Sequence, residues 1–144
     1  MKNISAKLLI FFIFILTILP SCEDSGERIP YVPVNIIIYP DLPEYNTIKT
    51  PMNHIYLNGG YAGIIVYCEY ADSYKAYERN CPHNPSHPDA ILDVDSTNLF
   101  MVCRECKSKF SILYGNKVDG PAKNPVVEYK TTLFNSALYI TNYN

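Results

Sequence analysis

The sequence predicts an all-β domain, on three observations. Thirteen tyrosines and no tryptophan accompany a series of short apolar–polar alternations, and aromatic and β-branched residues favour extended chain. Eleven prolines interrupt the chain at close intervals, which breaks helices and suits loops and strand edges. Beyond the amino-terminal apolar run, no stretch sustains the apolar spacing of an amphipathic helix.

The elements follow in order. Tyr31 to Tyr39 carries Val32, Val34, Ile36, Ile37 and Ile38 and reads as a first strand. Pro40, Pro43 and Pro51 then make 40–53 a loop over one edge. His54 to Leu57, Asn58-Gly59-Gly60 and Tyr61 to Tyr70 form a hairpin whose glycines supply positive φ. Asp72-Ser73 turns the chain into a strand over Tyr74 to Glu78. Ile91 to Val94 and Leu99 to Val102 flank an Asp95-Ser96-Thr97-Asn98 turn, and Phe110 to Leu113 ends at Gly115-Asn116. Val126 to Leu133 and Ala137 to Thr141, joined through Asn135-Ser136, make a terminal hairpin. No internal repeat is present.

Charge is nearly balanced, with 12 Lys+Arg against 14 Asp+Glu. That leaves no basic excess to neutralise a phosphate backbone, so nucleic acid is not an expected partner. Nothing matches a Ser/His/Asp triad, a phosphate-cradling glycine loop or a paired-carboxylate acid/base site.

The amino terminus has its own logic. Lys2 and Lys7 precede an apolar run from Leu8 to Leu19, which fits the core of a secretory signal and is short for a spanning helix. Leu19-Pro20-Ser21-Cys22 resembles the lipobox of bacterial lipoproteins, which implies cleavage before Cys22 and lipid attachment to it. An ordinary signal with an incidental cysteine, or an uncleaved short anchor, would carry the same run. The organisation expected is a signal peptide at 1–21, a lipidated acidic tether at 22–30 and a folded domain at 31–144. The chain would then lie in a bacterial cell envelope, lipid-anchored to the inner or outer membrane, with its domain outside the cytoplasm. No twin arginine precedes the apolar run, so export is Sec-like.

Two clusters carry the chemistry. Cys81-Pro82-His83 and Cys103-Arg104-Glu105-Cys106 each lie in a loop between short strands, with 19 residues between them. Together they offer three thiolates and one imidazole, a donor set for zinc or an iron–sulfur cluster and not for magnesium or calcium.

The surroundings of these clusters resemble the Rieske family. Tyr77 to His83 is similar to its first ligand loop, and Cys103 to Phe110 to its second. Gly115-Asn116, Gly120-Pro121-Ala122 and Pro125 resemble its proline-bearing loop over the cluster, and Val126 to Tyr129 with the last hairpin its closing strands. The resemblance covers 31–142, and small Rieske-like lipoproteins of bacteria are the nearest subgroup. It implies an antiparallel β-sandwich with a small two-loop subdomain, a [2Fe–2S] cluster and one-electron transfer to an unnamed redox protein. The ligands it implies are Cys81 and Cys103 on one iron, with His83 and Cys106 on the other.

The family pattern has histidine where this chain has Cys106. An added thiolate puts more negative charge beside the iron and lowers the potential. Two alternatives stay open for the same loops: zinc acquired after export, or no metal and a disulfide, which an oxidising compartment favours. Either would make a non-redox lipoprotein with a degenerate Rieske fold. An electron carrier is expected in preference to a catalyst.

Cys68 continues the alternation of Ile64 and Val66 and reads as a buried thiol in the core. His87 reads as a solvated loop histidine, although it could stand in as a second imidazole. His54 reads as a packing residue, and the tyrosines as cross-strand pairs.

Overall fold

The computed structural model describes residues 27–143. The signal segment, Cys22 and all of the tether before Glu27 lie outside these residues. Ten strands occur among the described residues: β1 (Asn35–Ile38), β2 (His54–Leu57), β3 (Ile64–Tyr70), β4 (Ser73–Glu78), β5 (Leu92–Val94), β6 (Phe100–Cys103), β7 (Lys109–Ser111), β8 (Lys117–Asp119), β9 (Glu128–Phe134) and β10 (Ala137–Thr141). The only helical element among them is one 3-10 turn at Asn46–Lys49, inside the expected 40–53 loop.

The strands form two antiparallel sheets. The larger has the order β1-β10-β9-β4-β3-β2, and the smaller runs β5-β6-β7-β8. Local chemistry explains the hairpins. Asn135 and Ser136 both take positive φ, the geometry of a two-residue turn that matches strand twist, and this sets Leu138 opposite Leu133. Asp72 at φ 63° turns β3 into β4. The smaller sheet is inserted between β4 and β9, which pair directly through Ala76–Tyr129 and Tyr77–Glu128.

Two apolar cores share one wall. Ile64, Val66, Cys68, Ala76 and Tyr129 pack with Ile48, Leu138 and Ile140 on one side. Ile65, Tyr67 and Tyr77 pack with Leu92, Met101, Phe110 and Ile112 on the other, and this second core includes Cys81 and Cys103. β3 is therefore buried on both faces, so its apolar residues run continuously where a half-buried strand would alternate. Cys68 sits in the first core as expected, fully buried, with its thiol donating to the Tyr70 carbonyl at 3.3 Å.

The all-β expectation holds, with boundary corrections. The first strand is shorter than 31–39, because Tyr31 to Val34 runs as an irregular strap beside β10. Asn142 pins it, its side chain accepting from the Val34 N–H at 2.6 Å and donating to the Val32 carbonyl at 3.3 Å. β8 was not anticipated: all three of its residues are exposed at a sheet edge, so no apolar pattern marks it.

Candidate metal centre

Both ligand loops leave the second core at the same end. Cys81 follows β4, and its N–H donates to the Ala90 carbonyl at 2.7 Å, so the loop leaves and returns at one point. Asn80, buried, closes that loop from inside: its side-chain amide donates to the carbonyls of Pro85 and Ala90 at 3.1 and 3.2 Å. The second loop joins β6 to β7. Lys107 takes φ 60° and its N–H reaches the Cys103 carbonyl at 3.2 Å, which closes Cys103 to Cys106 into a tight turn. Arg104 ties this turn to the smaller sheet through Asp93, which also takes Arg79.

The structure brings three of the four expected donors together. The sulfurs of Cys81, Cys103 and Cys106 all lie within 4.8 Å of one another. Cys81 Sγ and Cys106 Sγ stand 3.7 Å apart, and neither is bonded to another sulfur. His83 is half-buried on the first loop, and neither of its ring nitrogens joins the three sulfurs at that distance. Cys22 lies outside the described residues.

The backbone N–H of His83 acts to lower the Cys81 pKa, and those of Cys106 and Glu105 act in the same direction on Cys103. The Cys106 thiol donates to the Ser108 hydroxyl at 3.2 Å. Burial pushes the Cys81 thiol well above its ordinary range and raises that of Cys103, against the lowering effect of these N–H groups. At Cys106 burial acts in the same direction, but Ser108 and the two neighbouring thiols outweigh it and hold this group below its ordinary value.

Ser108 is the site residue that the sequence reading missed. It is fully buried, and its hydroxyl also accepts the Ala122 N–H at 3.0 Å, which lays the 120–125 loop against the second ligand loop. A Cβ on Gly120 would fall 2.5 Å from Ser108 Cα, so that contact requires glycine. The available signal was position, since a residue two beyond a cysteine can present both N–H and hydroxyl to its sulfur. Glu105 adds a buried carboxylate oxygen without a hydrogen-bond partner in the same turn.

His87 and His54 take the places expected of them. His87 Nδ1 accepts the Asp89 N–H at 3.1 Å within its own loop. His54 stacks edge-on to Tyr56 and pairs with Asn98, with burial holding its pKa below the usual histidine value against that hydrogen bond.

The chain has an all-β, Rieske-like fold that gathers three thiols at the ends of two loops. No family model and no curated protein matches the chain. Among solved structures it is similar to the ferredoxin of carbazole 1,9a-dioxygenase from Nocardioides aromaticivorans IC177. That likeness has a TM-score of 0.51 and 16% sequence identity, over 78% of this chain and 100% of that one. A complex of reduced oxygenase and oxidized ferredoxin in carbazole 1,9a-dioxygenase is also similar, with a TM-score of 0.49 and 17% identity, over 80% of this chain and 94% of that one.

The donor chemistry suits a soft or borderline metal, and the three thiols are placed to bind one. The two-and-two division expected for a [2Fe–2S] cluster does not fit this arrangement. Cys106 stands 3.7 Å from Cys81, the thiol assigned to the other iron, and His83 is not part of the group that the three sulfurs form.

Proposed function

We propose that this chain is a lipid-tethered one-electron carrier of the cell envelope, with a metal held by thiolates at its tip as the redox centre. The observation that carries the reading is the convergence of three cysteines from two loops, their sulfurs all within 4.8 Å of one another. Hydrogen bonds to sulfur stabilise the thiolate form and tune the potential of such centres. The fold it shares with a protein named as a ferredoxin supports electron transfer, and supports a separate redox protein as partner. The finer form of the reading is an iron–sulfur centre of the [2Fe–2S] type on Cys81, His83, Cys103 and Cys106. To adopt it, Cys106 must move away from Cys81, which it now approaches to 3.7 Å.

Lipid attachment at Cys22 is part of the same proposal. The path of the described amino terminus supports a centre close to the membrane. Ile29 to Val32 line a cleft with Glu78 and Tyr129, and Glu27 accepts the Ser86 hydroxyl at 3.0 Å on the first ligand loop. Five residues of chain from Cys22 to Glu27 reach no more than about 18 Å. A partner in or on the bilayer would then meet the tip first.

A second reading is a non-redox lipoprotein whose loops are closed by zinc or a disulfide. The gathering of three thiols without His83 favours it, as does Sec-like export, which carries a chain across before a cluster could be loaded.

The test is metal and acid-labile sulfide content, absorption spectrum and redox titration of protein purified anaerobically from its own envelope. Iron with a reversible one-electron wave supports the carrier. Zinc, or oxidised thiols without metal, overturns it in favour of the second reading. Mass analysis of the mature amino terminus tests Cys22 separately.

A further inference from the structure

We infer that Cys81, Cys103 and Cys106 hold a single tetrahedral metal ion, of the zinc or ferrous class, and do not divide between two irons. The inference rests on the metal-centre reading above and concerns how many ions the site takes.

The geometry is that of one ion. Thiolates bound to one metal at a metal–sulfur distance of about 2.3 Å stand about 3.8 Å apart along a tetrahedral edge. Cys81 and Cys106 are already at 3.7 Å, with Cys103 inside the same group. Two irons need the fourth-position donor to reach across to the second metal. A cysteine sulfur sits one bond beyond Cβ, whereas imidazole nitrogens sit two and three bonds beyond it. At position 106 the shorter side chain leaves its donor back over the first metal position.

The surroundings hold it there. The Lys107 turn folds Cys106 over Cys103. Ser108 keeps its hydroxyl on the Cys106 sulfur, and is itself fixed by the Ala122 N–H and by Gly120, against which no Cβ would fit. His83, the ligand expected for a second metal, stays outside the group, and so does His87. Binding a divalent ion displaces three thiol protons and leaves the centre with one net negative charge. The fourth vertex is left to solvent or a small external ligand.

The experiment uses full-length lipoprotein in detergent. Metal and acid-labile sulfide are counted as isolated, and the metal-free protein is then titrated with cobalt(II), whose sulfur-to-metal absorption reports thiolate ligation. One ion per chain without sulfide is expected, with a cobalt end point at one equivalent. Cys106→Ser is expected to weaken cobalt binding by roughly a hundredfold or more, and His83→Ala by less than about tenfold, the least that an outer-shell group costs.

Two irons with two sulfides per chain overturn the inference. So does a His83→Ala loss as large as that of Cys106→Ser, or failure of the metal-free protein to take up cobalt. If Cys106→Ser does not fold, the metal count and His83→Ala decide the matter alone. The outcomes separate this inference from the carrier reading. One redox-active iron keeps both, one zinc keeps only the single-ion site, and two irons with sulfide keep only the carrier.

Discussion

Glu78 accepts the Tyr129 hydroxyl at 2.7 Å inside the protein, joining the end of β4 to β9 across the break where the smaller sheet is inserted. The same carboxylate takes the N–H groups of Tyr61, Ala62 and Asn80 at 2.7, 2.9 and 2.9 Å. Four donors satisfy one buried acid. They fix the Gly59-Gly60 turn and the residue before Cys81 to the same point, so the root of the first ligand loop is anchored to the larger sheet.

Tyr129→Phe removes one of those donors and is expected to lower stability by about 1.5–3 kcal/mol, as for hydrogen bonds to charged groups. Gly60→Ala is expected to cost more, because the position has φ 62° and the new Cβ would lie 2.4 Å from the Glu78 carboxylate. Urea unfolding of the two variants checks both. A loss below about 0.5 kcal/mol for Tyr129→Phe, the size of an ordinary surface change, would remove Glu78 as the anchor.

Asp93 sets an acid limit on the second loop. Its hydrogen bond from Arg104, with further help from Arg79 against the cost of burial, holds its carboxyl below the usual carboxylate range. A carboxyl depressed by folding adds stability above its unfolded pKa of about 3.9, and that stability is lost as pH falls through the lower folded value. Melting temperatures of wild type and Asp93→Asn are therefore expected to differ by a constant amount from pH 5 to 7 and to converge below about pH 4. Curves that stay parallel to the lowest pH would show that Asp93 is not held by its two arginines.

Thiol reactivity has an expected order. In metal-free, reduced protein, iodoacetamide is expected to label Cys106 first, because Ser108 and its neighbours favour its thiolate while burial suppresses that of Cys81, Cys103 and Cys68. Peptide mapping at short times reads this out. Ser108→Ala is expected to slow labelling of Cys106 and to leave the Ala122 N–H unpaired. Equal rates at Cys106 and Cys81 would contradict the arrangement.

Cys68 is expected to be irrelevant to the centre. Cys68→Ala removes one buried sulfur from the first core and is expected to cost about 1 kcal/mol, with metal content unchanged. Loss of metal in this variant would mean that the two cores are coupled through their shared wall.

Much of the fold is legible locally. Positive-φ turns at Asp72 and at Asn135-Ser136, and the alternation of Ile64, Val66 and Cys68, place β3, β4, β9 and β10 before any contact is known. β8 escapes because an exposed edge strand has no buried face to leave an apolar pattern. Glu78 reads as an unremarkable strand-end acid, since three of its four donors come from residues 17, 16 and 51 positions away.

The sequence by itself determined an all-β chain with two short loops carrying thiols and an imidazole, because strand period, turn residues and ligand spacing are properties of neighbouring residues. Tertiary structure decided how those donors meet. Cys81 and Cys106 are 25 positions apart, and their separation depends on how two loops leave a common core. It depends also on the short reach of a cysteine where an imidazole would extend farther, and on Ser108 holding that sulfur in place. Spacing alone names four donors, whereas side-chain reach and the packing beneath the loops gather three of them around one point.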